Sequence, residues 1–238
     1  MLGYKIIQKA NEQHARAGFL SDLILGSQDG LVNVLGIVLG VSAATSDTRI
    51  IFVAALAALG AESISMGAVA YTSTMSRLRL YLKEVAQEKK EMKEIPKMER
   101  EEVRDILEKW EYKGKDLEHM TDMVCSNPEA WLQFMMAFEL KLAPVEKSAP
   151  FKSFITVIFA TIVGSVIPLV PFLFIHNSIS AGLLWSIILS GLSLFFVGYY
   201  EAKTTLGSIW KSGLQMVIIG LLAGFAGYLI GHFLGAPA

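Results

Sequence analysis

Residues 50–94 read IIFVAALAALGAESISMGAVAYTSTMSRLRLYLKEVAQEKKEMKE. The first half is apolar enough to cross a bilayer, which takes roughly 20 consecutive apolar residues. The second half is rich in lysine and glutamate. Between Ala68 and Ile95 there is neither proline nor glycine to stop a helix. One helix is therefore predicted over 49–95, ending before Pro96 and roughly 70 Å long at 1.5 Å per residue. It runs out of the membrane into water, so the chain meets two solvents.

The rest of the sequence divides in the same way. The chain has 238 residues, 53% hydrophobic and 18% charged, with a mean hydropathy of +0.48. Soluble domains carry about 25% charge. Residues 76–148 hold 14 of the 21 Lys and Arg and 16 of the 22 Asp and Glu. The net charge is −1 and bases alternate with acids, so there is no basic field for nucleic acid. Cys125 stands alone and cannot form an intramolecular disulfide. There is no CxxC, Cys/His zinc spacing or HExxH, and His119 has no glutamate three residues before it, as a di-iron Glu-x-x-His site needs. No enzyme is read here.

Apolar runs place five transmembrane helices at 22–45, 49–74, 151–175, 179–200 and 212–235. The runs are continuous, with no period-two alternation of a barrel strand. The fold class is an all-α integral membrane protein with a cytosolic helical domain inserted between spans 2 and 3. Its parts are 1–75 (an N-terminal segment with spans 1 and 2), 76–148 (the charged domain) and 149–238 (spans 3 to 5). The first twenty residues have no signal-like apolar run and read as a short amphipathic helix lying against the membrane or the rest of the protein. With the N-terminus and 76–148 on one side, that side collects 20 basic residues and the other only Arg49. The N-terminus and the charged segment are thus predicted to be cytoplasmic and the C-terminus to face the other way.

Gly36 and Gly40 in the first span, with Gly220, Gly224, Gly227 and Gly231 in the fifth, are expected to let helices approach closely. Pro168 and Pro171 should kink the third span and free carbonyls that need partners in a neighbouring helix or in water.

In the charged segment a second helix is predicted from Pro96 to Gly114. A third should be capped by Asn127 with Pro128 at its first position, and should continue through WLQFMMAFELKL. On these helices Glu84, Glu88 and Glu91 fall at i, i+4 and i+7, and Glu99 with Glu102 at i, i+3. Met135, Met136 and Glu139 share a face. Like charges three or four apart repel, which suggests a cation between them. Lysines 89, 90, 93 and 97 alternate with these acids, however, as on any solvated helix. Glu139 stands out among Trp131, Leu132, Phe134, Phe138 and Leu140, where a packed carboxylate would need a cation or a donor. Glutamate oxygen with methionine sulfur suits a borderline first-row ion such as Fe2+ better than Mg2+ or Ca2+. Methionine as core filler is the alternative.

Within the spans, an ionisable side chain costs about 2.5 to 3.5 kcal/mol on insertion scales and points to function. Asp29 lies in the first span with no base in either of the first two. Asp22 is two turns earlier, where capping the helix is the alternative. Glu62 and Met66 are i, i+4 on the second span. Asp29, Glu62 and Met66 together would make a cation site at which metal and proton compete for the same oxygens. A proton-coupled divalent-metal carrier follows as the expectation.

The motifs SQDGLVNVLG, ESISMGAVAY, IPLVPF and NPEAWLQFMMAFELKL, in this order over residues 20 to 210, resemble the vacuolar iron transporter family. The resemblance implies a five-span homodimer that moves Fe2+, and often Mn2+, out of the cytosol in exchange for protons, with no tightly bound cofactor. It implies a pathway aspartate at Asp29, a membrane methionine at Met66 and an entrance acid at Asp22. Cytosolic ligands would be Glu88, Glu91, Glu99, Glu102, Met135, Met136 and Glu139. Plant and fungal relatives have two further acids where this chain has Gly18 and Ala58; Glu62, one turn on from Ala58, is inferred to replace the second. The membrane would be the cell membrane in a prokaryote and a vacuolar-type one in a eukaryote. The competing expectation is a membrane-anchored metal buffer or sensor that transports nothing.

Overall fold

The computed structural model describes the backbone of residues 2–175, 178–205 and 207–235, and the side chains of those from residue 18 onward. It contains helices α1 (Leu2–Ala44), α2 (Thr48–Glu94), α3 (Pro96–Lys109), α4 (Gly114–Cys125), α5 (Pro128–Phe134), α6 (Ala149–Val166), α7 (Val170–Phe174), α8 (Ile179–Thr204) and α9 (Ile209–Leu234). No strand occurs among the described residues. Five helical stretches are long and apolar enough to cross a membrane: Gly18–Ala44, α2, Ala149–Phe174, α8 and α9. The protein is an all-helical, multi-pass membrane protein.

Three expectations are corrected. The N-terminal residues do not form a short helix of their own length, because α1 runs on from Leu2 to Ala44. Its backbone meets no proline there, and Gly18 costs only about 1 kcal/mol in a helix. Where the side chains of residues 2–17 point lies outside the described residues. The helix begun at Pro96 stops at Lys109, with Glu111 in the left-handed region at φ 70°. Gly114, at φ 57°, opens the following helix instead of closing the previous one. The run from Pro128 is α-helical only to Phe134; Met135–Glu139 form a π-turn, in which the N–H of Leu140 donates to the carbonyl of Met135 at 3.1 Å.

Backbone contacts divide the chain into two units, one of Met1–Thr72 with Pro150–Ala238 and one of Ser73–Ala149. In the first unit, Val34 and Val38 of α1 pack with Ile51 and Ala55 of α2 and with Leu169 and Phe172. Small residues bring α1 against α6 and α9. A Cβ on Gly30 would lie 2.4 Å from the Thr161 carbonyl oxygen, and one on Gly231 only 1.8 Å from that of Gly40. Such approach is what dispersion between helices in lipid requires. The third span breaks where the prolines fall: α6 ends at Val166, a 3-10 turn covers Ile167–Leu169, and α7 resumes. The buried Ser186 of α8 donates its hydroxyl to the Pro168 carbonyl at 2.8 Å, so a neighbouring helix satisfies that carbonyl.

The second unit has its own apolar core of Val103, Leu107, Leu117, Trp131 and Met135. Asn127 caps α5 by accepting from the backbone N–H groups of Glu129 and Ala130, with Pro128 at the first position.

Candidate metal sites

The buried face of α3 consists of Glu99, Val103 and Leu107, a stripe at i, i+4 and i+8. An acid therefore occupies a core position, which burial alone would give to an aliphatic residue. Glu99 is 3% exposed, and so is Glu88 on α2. Ile95 joins α2 to α3, and across this junction the carboxylates of Glu88 and Glu99 come together. Glu139, at the end of the π-turn, completes the group: Glu88, Glu99 and Glu139 each offer a carboxylate oxygen, all within 4.8 Å of one another. Opposite oxygens around a hard cation stand about 4 to 5 Å apart.

One oxygen of Glu88 and one of Glu99 are buried without a hydrogen-bond partner. Elsewhere in this unit acids are paired, with Arg100 meeting Glu118 at 3.0 Å and Asp122 at 2.8 Å, and Arg104 meeting Glu118 at 3.0 Å. Among the described residues no lysine or arginine forms an ion pair with Glu88, Glu91, Glu99, Glu102 or Glu139. Partial desolvation, then the charges of Glu102, Glu99 and Glu91, raise the Glu139 carboxyl to about 7. Desolvation and the charges of Glu99 and Glu91 raise Glu102 as well. Buried acids without counter-charge are unfavourable unless protonated or bound to a cation. The group has the chemistry of a divalent-cation site.

The other sequence-predicted residues fall around this group unevenly. Glu102 is near enough for its charge to act on Glu139, but it is not part of the triad. Glu91 accepts from Gln87 at 3.0 Å while contributing its charge to the group. Glu84 pairs with its neighbour Lys83 at 3.4 Å and is not part of the triad. Met135 is fully buried in the apolar core, and Met136 is 4% exposed. Glu139, expected to be pressed into the bundle, is exposed as a residue, because the π-turn ends there. The acids within the packing are instead Glu88 and Glu99. The stripe Glu99-Val103-Leu107 would have revealed one of them in the sequence.

A second group of acids lies in the first unit. Asn33, one turn after Asp29 on α1, donates through Nδ2 to Asp29 Oδ1 at 3.3 Å and to Glu62 Oε1 of α2. The other oxygen of Glu62, Oε2, is buried without a partner. Met66 is half-buried one turn after Glu62, and Asp22 is half-buried two turns before Asp29; neither is bonded to this pair. Asn33 and Glu62 line an open groove of about 810 Å³ between α1, α2 and α9, which also includes Ala58 and reaches Ala44 and Leu234. Gly18 has nothing within 4 Å of where a Cβ would be. Asn33 was not among the expected site residues. Only the packing register of α1 on α2 brings it to a partner 29 positions away.

The model of the VIT family matches residues 20–232, which is nearly the whole chain. The chain belongs to the VIT family. Among VIT relatives, vacuolar iron transporter 2 of Oryza sativa subsp. japonica is 31% identical over 224 residues, covering 94% of this chain and 91% of that protein. Vacuolar iron transporter 1 of Tulipa gesneriana is 32% identical, covering 94% and 90%. Protein CCC1 of Saccharomyces cerevisiae is 27% identical over 91% of this chain and 69% of its own. Both acid groups lie inside the VIT match.

Proposed function

We propose that this chain carries Fe2+, and with it Mn2+, across a membrane out of the cytosol in exchange for protons, working as a homodimer. The observation that carries the reading is the meeting of Asp29 and Glu62, from two different spanning helices, around one amide. Such carboxylates are unfavourable in lipid and useless to a passive anchor. The relatives' names supply the metal class, since they are called vacuolar iron transporters. In this reading the cluster of Glu88, Glu99 and Glu139 collects the ion on the cytosolic side and the membrane pair hands it across. Each carboxylate takes up a proton when the metal leaves. The excess of basic residues flanking the spans favours a cytosolic N-terminus and a cytosolic Ser73–Ala149, and the relatives' names favour a vacuolar-type membrane.

A second reading, a membrane-anchored buffer without flux, is favoured by one fact: the glutamate triad lies wholly inside one unit and could bind metal without any pathway. Full-length protein in liposomes with an internal pH indicator separates the two. The carrier takes up Fe2+ with release of internal protons, and a competition series with Mn2+ and Co2+ ranks its substrates. Stoichiometric binding with no uptake would replace the carrier by the buffer.

A further inference from the structure

Asn33 is exposed on α1 at the edge of the groove. Its single nitrogen faces both acids, Asp29 on its own helix and Glu62 on the next. A primary amide has two N–H donors on one side and a carbonyl with two lone pairs on the other. Only the nitrogen can meet two carboxylates, so the orientation of the amide follows from its partners. Both donors are used, and the carbonyl oxygen Oδ1 makes no side-chain bond among the described residues. In this arrangement the amide does for the two acids what a cation would do, by placing positive hydrogen between negative oxygens.

A divalent ion entering between Asp29 and Glu62 would meet those N–H dipoles end on. Turning the amide over about its terminal bond exchanges nitrogen for oxygen within nearly the same shape. The ion then meets a third oxygen ligand. That ligand is neutral, so two carboxylates and one divalent cation sum to zero charge. This is the least unfavourable state for a charged group in a membrane.

We infer that Asn33 is a two-position switch of the membrane site, clasping Asp29 and Glu62 through its NH2 group when no metal is present and turning its carbonyl oxygen to the ion when one enters. The inference rests on the carrier reading. It assigns to Asn33 both the closing of the empty site and part of the affinity of the loaded one.

Two near-isosteric substitutions pull these roles apart. Asn33→Leu has neither donor nor ligand. Asn33→Asp keeps an oxygen ligand, loses the clasp and adds a charge that holds the ion after loading. With Mn2+ as the probe and full-length protein in liposomes, Asn33→Leu should raise KM about tenfold with most of the maximal rate kept. Asn33→Asp should lower KM and the maximal rate together, each by about tenfold, because release becomes slow. Opposite movements of KM are the expected result; a purely structural role would move both variants the same way. Unchanged kinetics in both, or loss of rate in both with KM unaltered, would overturn the switch. Asn33→Ser, which retains a small donor and acceptor, should fall between wild type and Leu. It keeps the test decisive if the other two do not fold. Asp29→Ala in the same series isolates the underlying reading: if it still transports Mn2+ at the wild-type rate, the carrier pathway fails, whereas if it is inactive and the Asn33 variants behave as wild type, only the switch fails.

Discussion

Glu88, Glu99 and Glu139 converge with no base or amide among them, whereas Asp29 and Glu62 converge around the amide of Asn33. The first group keeps its mutual repulsion, which is reflected in the raised Glu139. The second has a neutral stand-in for the ion. An unrelieved cluster gains most from a cation and should hold it tightly. A clasped pair gains less and can let it go. The difference suits a collector in one place and a passage in the other.

The comparison breaks most visibly if the two groups turn out to depend on each other. Asp29→Ala should reduce Fe2+ uptake to the level of empty liposomes while leaving the metal bound by the glutamate triad, followed by titration calorimetry on full-length protein, unchanged. Weakened binding at the triad would undo the separation.

Next in size is the triad itself. Glu88→Gln with Glu99→Gln should weaken metal binding by roughly two orders of magnitude. A unit charge at 4 Å contributes about 4 kcal/mol at an effective dielectric of 20, part of it offset by relieved repulsion. Glu99→Leu should go further in an instructive way. It continues the aliphatic stripe of Val103 and Leu107, so metal-free protein should gain about 1 to 3 kcal/mol in thermal or denaturant unfolding as binding is lost. A destabilised Glu99→Leu protein would mean that the acid is not in an apolar setting.

The pH dependence sharpens the contrast. Glu139 is raised from its usual range to about 7, so it is protonated below that value and the metal must displace the proton. Burial and the neighbouring acids raise Glu88 to about 8 as well, so affinity should rise by up to about a hundredfold per unit below 7, by up to about tenfold per unit near 7.5, and flatten only well above 8. Glu139→Gln should flatten the lower part of the curve, in calorimetry over a pH series. A profile unchanged by Glu139→Gln would remove it from the site. The smallest effect belongs to Glu84, which is paired with Lys83 away from the triad. Glu84→Gln should change metal affinity by less than about threefold.

Much of the helical plan was legible in residues 50–94 because helices are local: no breaker between Ala68 and Ile95, then Pro96, then Asn127 and Pro128 as cap and first turn. The glycine contacts of α1 with α9, and the break at Pro168, follow from residue types that leave few alternatives. Less legible were the features set by backbone choices that several residues tolerate. Glu111 takes a left-handed conformation with no glycine to announce it, and Gly114 starts a helix where glycine more often ends one. The acids of the triad could be shortlisted by spacing, but burial of Glu99 over Glu139 depends on how α3 packs. Asn33 was out of reach, since its partner Glu62 comes from another helix.

The π-turn at Met135–Glu139 bears on how the triad tolerates a change in residue spacing. Relative to an α-helix such a turn accommodates one extra residue. Removing one, Ala137 for instance, would let the segment close as ordinary helix with Glu139 in nearly the same direction around the axis, because the residues of a π-turn cover about the same angle as one fewer residue of an α-helix. In this stretch a one-residue deletion should therefore disturb the site less than the same deletion within α3, where everything beyond it would turn by about 100°.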